Sequence, residues 1–261
     1  MIRVKKTFKE LKQKKQKAFG VFLTAGYPSL EYSKDIFKKI LDAEVNFIEI
    51  GLPFSDPMAD GPLIQHSSQI AIEQNTSVEE CFNLVKVIRK KNNDIPIILM
   101  GYYNPIHYYG NLKFIKKAVL SGIDGLIIVD LPIEEDEEFY NLSCKNNLPL
   151  IRLVTPTTDE ERLKKILKNA HGFVYYVSVT GITGTKSASV NDVKNKIKVI
   201  KKITNLPVIA GFGIKNSVDA KKMSSISDGI VIGSSLINKI EEVYKKKNGL
   251  NEIFKFLKSF K

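Results

Sequence analysis

Residues 47–65 read FIEIGLPFSDPMADGPLIQ. The first five are apolar except for Glu49, which stands between Ile48 and Ile50. The rest is a loop of Gly, Pro and Asp that carries two more acids, Asp56 and Asp60. An apolar run closed by such punctuation predicts a strand and the turn that ends it. The run is nearly continuous rather than alternating, as suits a parallel strand buried on both faces. A carboxylate in that setting is the feature to explain.

Seven further runs have the same character: Gly20–Thr24, Ile95–Met100, Leu126–Asp130, Leu148–Val154, Phe173–Ser178, Pro207–Ala210 and Gly229–Gly233. Helical stripes lie between them, such as Val78, Cys81, Phe82, Val85 and Ile88, or Val190, Val193, Ile197 and Ile200. About eight strands alternating with about eight helices predict an α/β fold, a (β/α)8 TIM barrel. A doubly wound open sheet would have fewer strands and usually a phosphate loop after the first; the segment here is TAGYP, with a single glycine. Val4, Phe8 and Leu11 form one stripe on the basic segment Met1–Lys17, which reads as an extra N-terminal capping helix. No linker or composition shift divides the chain, so 1–261 reads as a single barrel domain.

Bulk properties narrow the function. The chain has 261 residues, 43% of them hydrophobic, enough for one sizeable core. No run approaches the ~20 apolar residues that span a bilayer, and the basic start lacks the apolar centre of a secretory leader. Cys81 and Cys144 stand apart without metal-type neighbours, so both read as small core hydrophobes of a reduced, cytoplasmic protein. The net charge of +12 reflects lysines spread over every helical stretch; without interleaved aromatics it argues for solvated faces and not for nucleic acid.

In a barrel the chemistry sits at the C-terminal strand ends. Three late loops there, VTGITGTK, GFGIKNS and GSS, are small, Gly-rich and nearly free of acids, and backbone N–H groups of such turns bind anions. Ordinary turn glycines would look the same. Glu49, poorly solvated at a strand end, could act as acid and base near neutrality, or could turn outward to a helix or a lysine. Asp60 lies in a loop returning over the same mouth, and two acids in different surroundings can divide roles. Asp56 is a third candidate, although Ser-Asp-Pro is also a common turn. No lysine ends a strand to form a Schiff base, and His66, His107 and His171 are scattered, so no metal site is expected.

With these residues in hand, the chain resembles the tryptophan synthase alpha subunit family over essentially its whole length. The resemblance rests on FIEIGLPFSDPMADGPLIQ, YYNPI at 102–106, DLP at 130–132, VSVTGITG at 177–184, GFGI at 211–214 and GSS at 233–235, in that order. It implies a lyase that splits indole-3-glycerol phosphate into indole and glyceraldehyde 3-phosphate and serves tryptophan biosynthesis. Carried over, Glu49 would be the acid/base and Asp60 would hold the indole N–H. Gly184, Gly213, Gly233 and Ser234 would bind phosphate. Phe22, Ile64, Met100, Tyr175 and Phe212 would line the indole pocket, and Thr183 would close onto Asp60. No cofactor is implied in this chain. Indole would pass to a beta subunit carrying pyridoxal phosphate, within an alpha2-beta2 tetramer, with Pro53, Asp56, Tyr102, Asn104 and Pro132 on the contacting loops. Met100 stands where Leu is commoner, a swap that keeps volume and polarity. Lys186 has no assigned role. Rival readings are a free-standing lyase of the same fold, another sugar-phosphate barrel enzyme and a basic nucleic-acid scaffold.

Overall fold

The computed structural model describes residues 2–177, 190–211 and 213–260. Eight parallel strands form its centre: β1 (Ala18–Thr24), β2 (Phe47–Gly51), β3 (Ile97–Gly101), β4 (Gly125–Ile128), β5 (Arg152–Val154), β6 (Val174–Val177), β7 (Val208–Gly211) and β8 (Gly229–Ile232). Their order is β4-β3-β2-β1-β8-β7-β6-β5. The ends meet through one isolated bridge, Leu126 to Leu150, so the sheet curls into a barrel with a thin seam. Parallel strands joined by helical crossovers bury both faces. β1, β2, β3, β7 and β8 accordingly have no exposed position.

The predicted run Leu148–Val154 shortens to β5 for a chemical reason. Pro149 has no N–H to donate, and its carbonyl accepts the Leu126 N–H at 3.0 Å. The run Leu126–Asp130 ends early because the Asp130 carboxylate leaves the ladder and accepts the Tyr103 N–H at 2.7 Å.

Twelve helices surround the described barrel. The apolar stripes anticipated α1 (Ile2–Gln13), α2 (Leu30–Asp42), α4 (Val78–Lys91), α6 (Asn111–Ser121), α8 (Glu160–Lys168), α9 (Val190–Ile203), α11 (Ser234–Val243) and α12 (Gly249–Lys258). They missed α3 (Pro62–Glu73), α5 (Tyr103–Tyr109), α7 (Glu137–Lys145) and α10 (Ser217–Ile226). Each of these four buries at most one large apolar residue: α3 buries Ile64 with Ser67, Ser68 and Ala71, α5 buries Ile106, α7 buries Phe139 with Ser143, and α10 buries Ala220. Such faces carry no apolar period. Cys81 is buried as expected, but Cys144 is exposed, because α7 turns Phe139 and Ser143 inward instead.

Helix α1 closes the floor of the barrel. Its Phe8 meets Phe47 and Phe173 at centroid distances of 6.1 and 5.5 Å, and those two rings lie 5.5 Å apart. Arg3 ties α1 to Asp124 at 3.0 Å, and Arg89 reaches the same buried carboxylate. The floor is packed with rings, so the open end is the opposite one.

Candidate active site

β2 sets the site. Its inward positions are Phe47, Glu49 and Gly51, two residues apart as the pleat requires. Phe47 joins the floor, and Glu49 comes next up the barrel, in register with Phe22 on β1 and Ile98 on β3. A Cβ on Gly51 would fall 2.6 Å from the Phe22 ring, so only glycine fits beside that ring. Gly211 makes the same concession to Tyr175, whose ring would lie 2.3 Å from an added Cβ.

Glu49 therefore turns inward, not towards a helix or a lysine. It has no exposed surface. The Tyr175 hydroxyl donates to Oε2 at a long 3.4 Å, and Oε1 has no partner among the described residues. Burial pushes its pKa from 4.5 to about 8, against the weaker opposing effect of the Tyr175 hydrogen bond. Burial and both acids raise the Tyr175 hydroxyl well above its ordinary value, so it stays a neutral donor between Glu49 and Asp60.

Asp60 sits on the loop between β2 and α3. Its backbone N–H donates to the Pro57 carbonyl at 3.0 Å. Gln65 on α3 donates its side-chain amide to the Asp60 carbonyl at 2.9 Å. The carboxylate accepts the Tyr102 hydroxyl at 3.0 Å. Burial raises its pKa from 3.8 to about 6, and the Tyr102 bond works in the other direction. The two acids thus differ near neutrality: below about 8 Glu49 holds its proton, and above about 6 Asp60 has lost its own.

A narrow pocket opens at the barrel mouth, with Phe22, Ile64, Met100 and Asp60 in its wall. Tyr102, Thr24, Ser68 and Val129 are also in the wall, and the sequence reading had not assigned them to it. Tyr102, expected on a partner-facing loop, is 3% exposed with its hydroxyl on Asp60. Its signal was its place directly after the strand-ending Gly101. Pro53 is buried, whereas Asp56, Asn104 and Pro132 are exposed. Asp56 takes a hydrogen bond from Ser55 at 2.5 Å and is not part of the cavity wall.

The late loops differ in how their helices begin. At α10, Asn216 accepts the Val218 and Asp219 N–H groups, each at 3.0 Å, so that end is satisfied. At α11, Gly233 is the N-cap and no side chain caps the free N–H groups. A bare N-terminus with its dipole is an anion site. A Cβ on Gly233 would lie 3.2 Å from the Phe22 ring, which places the start of α11 beside the apolar pocket. Gly213 is exposed with φ +77°, on the loop after β7. Thr183, Gly184, Lys186 and Phe212 lie outside the described residues.

Residues 8–261 match the family Tryptophan synthase alpha chain. The chain belongs to this family. The tryptophan synthase alpha chain of Geotalea daltonii is 45% identical over 242 residues, 93% of this chain and 91% of that one. That of Geotalea uraniireducens is 43% identical, over 93% and 90%. The crystal structure of tryptophan synthase subunit alpha from Legionella pneumophila str. Paris superposes with a TM-score of 0.92 at 35% identity, covering 99% of this chain and 96% of that one. As a tryptophan synthase alpha chain the molecule is a lyase, cleaving indole-3-glycerol phosphate and passing indole to a beta subunit. The alpha chain needs no cofactor of its own for this. No described helix is long and apolar enough to cross a membrane. Among the described residues, no His, Cys, Asp and Glu cluster could hold a metal.

Proposed function

We propose that Glu49 and Asp60 divide the cleavage between them, and the observation that supports this is their placement: Glu49 is fully buried inside the barrel, Asp60 lines the pocket at its mouth, and burial raises Glu49 further than Asp60. Glu49, protonated at neutral pH, delivers its proton to indole C3. Positive charge then develops at the ring nitrogen, and the ionised Asp60 holds that N–H and stabilises the charge. The Glu49 carboxylate left behind takes the proton of the glycerol hydroxyl. The C3–glycerol bond breaks, its electron pair restores the aromatic ring, and the hydroxyl carbon becomes the aldehyde of glyceraldehyde 3-phosphate. Glu49 ends protonated, so the cycle needs no outside proton. One group serves as acid and then base, which suits a pKa near the working pH.

Phe22, Ile64, Met100, Tyr175 and Phe212 hold the indole ring. Gly184, Gly213, Gly233 and Ser234 hold the phosphate through backbone N–H groups, with the Ser234 hydroxyl; the uncapped start of α11 supports this reading. Thr183 closes over the pocket onto Asp60. The chain 1–261 acts as one domain in the cytoplasm, as half of an alpha2-beta2 tetramer. Asp56 and Pro132, exposed on their loops, and Asn104, exposed on α5, would meet a beta subunit carrying pyridoxal phosphate, with the buried Pro53 and Tyr102 supporting that surface from beneath. An apolar product favours such direct transfer over release to water.

The test is indole release from indole-3-glycerol phosphate, with and without a beta subunit. Slow release that rises sharply with the partner supports the whole reading. Fast release that ignores the partner points to a free-standing lyase. No release by wild type, or release unaffected by E49Q, would overturn the assignment.

A further inference from the structure

Tyr102 is the residue whose placement the family reading leaves unexplained. It follows β3 directly, is 3% exposed, and packs its ring on Phe54 with centroids 5.3 Å apart. Phe54 is itself pinned to α3: its N–H donates to Ser68 Oγ at 2.8 Å, and its carbonyl accepts from the same hydroxyl at 2.9 Å. The ring therefore has little room to move. At its tip the hydroxyl accepts the Ala59 N–H at 2.9 Å and donates to Asp60 Oδ2 at 3.0 Å. A hydroxyl that accepts from one residue and donates to the next ties the path of the loop to the orientation of the carboxylate. Gln65 braces the same loop but touches only the carbonyls of Pro57 and Asp60.

The surroundings of Asp60 make this contact decisive. Among the described residues, no lysine or arginine pairs with Asp60, and Tyr102 is the one donor to its carboxylate. The other titratable groups bearing on the pair are Tyr175, which feels both Asp60 and Glu49, and Asp130, which acts on Tyr102. None is a cation. A cation beside Asp60 would keep it ionised but would also cancel the negative charge that a developing ring cation needs. A neutral hydroxyl favours the ionised form and leaves that charge uncompensated.

We infer that Tyr102 is the positioning residue of the Asp60 carboxylate, orienting it through Oδ2 and holding it in the ionised form for the cleavage. The inference rests on the proposed reading, in which Asp60 works as an anion.

The experiment compares wild type with Y102F, with 3-fluorotyrosine at position 102, and with Q65A as a control that loosens the loop backbone alone. Two readouts are taken on the full chain: the Asp60 carboxyl carbon titrated by NMR, and kcat/KM for indole release against pH. Y102F should raise the Asp60 midpoint by about one unit. The acid limb of kcat/KM should move with it. The activity loss is then about fivefold near pH 6 and almost nil near pH 8, as a one-unit shift requires. The fluorinated ring, a stronger donor of the same shape, should move the midpoint down. Q65A should leave the midpoint in place. A Y102F midpoint that does not move, with activity lowered evenly at all pH as for a loosened loop, would overturn the inference. If wild type releases no indole the proposed function fails, while the NMR titration still judges Tyr102 by itself.

Discussion

Phe47 and Glu49 occupy consecutive inward positions of β2, and both are fully buried. Phe47 has aromatic neighbours in Phe8 and Phe173. Glu49 has one long hydrogen bond and one oxygen with no partner among the described residues. The same backbone, one pleat apart, thus carries a contact that stabilises the fold and a group whose charged form destabilises it. The lower barrel is filled because α1 delivers a ring into it. The upper barrel keeps a desolvated acid, which fits the proton-donor role proposed for Glu49. A local violation of packing rules at one level of an otherwise consistent barrel marks the functional level.

The sharpest way to break this comparison is E49Q, which keeps the shape and removes the proton exchange. Indole release should fall by about 10²–10⁴-fold with the fold intact by circular dichroism. A loss under tenfold would mean that Glu49 is only a buried acid. F47A should do the reverse. It should lower stability in urea by about 3–5 kcal/mol through the cavity it leaves. The limbs of the pH–activity profile should stay where they are.

The two pKa shifts set a pH dependence that sharpens the contrast. Both acids are raised in the folded state, so the stability they contribute is full below their unfolded values and is lost as pH rises. For Asp60 the loss runs from 3.8 to about 6, and for Glu49 from 4.5 to about 8. In urea titrations, E49Q should therefore gain on wild type between about pH 5 and pH 9, by up to a few kcal/mol. A gap that narrows with pH would show that Glu49 is ionised at little cost. For activity, kcat/KM should be bell-shaped, rising through about 6 as Asp60 ionises and falling through about 8 as Glu49 loses its proton.

The smallest effect separates the two late helices. N216A removes the side-chain cap of α10 and should cost about 1 kcal/mol of stability. KM for the phosphorylated substrate should not change, because the free N–H groups belong to α11. A raised KM in N216A would move the phosphate to the wrong helix.

Much of this was legible in residue order. The eight apolar runs predicted the strands, since a parallel strand buried on both faces needs unbroken Val, Ile, Leu and Phe. Val4, Phe8 and Leu11 predicted the capping helix, and they are its buried residues. Glu49 and Asp60 drew notice because a carboxylate beside isoleucines and another in a returning loop lack an obvious solvated place. The helices α3, α5, α7 and α10 were not legible, because an inner face with at most one large apolar residue, Ile or Phe, among Ser and Ala has no 3.6-residue signal. Tyr102 was read as a partner-facing loop residue because its one local signal, its place after the strand-ending Gly101, does not tell a tyrosine that faces a partner from one that faces an acid 42 positions earlier.

The sequence alone determined the succession of strands and the barrel class, and it singled out the two acids as candidates, because periodicity and residue type are local properties. Tertiary structure decided which way Glu49 points, that its only described donor is a tyrosine from β6, and that Asp60 hangs from a tyrosine after β3. It also decided which helix start lacks a side-chain cap among the described residues. These depend on strands that meet only when the barrel closes, and burial, which raises both acids towards neutrality, exists only after that closure.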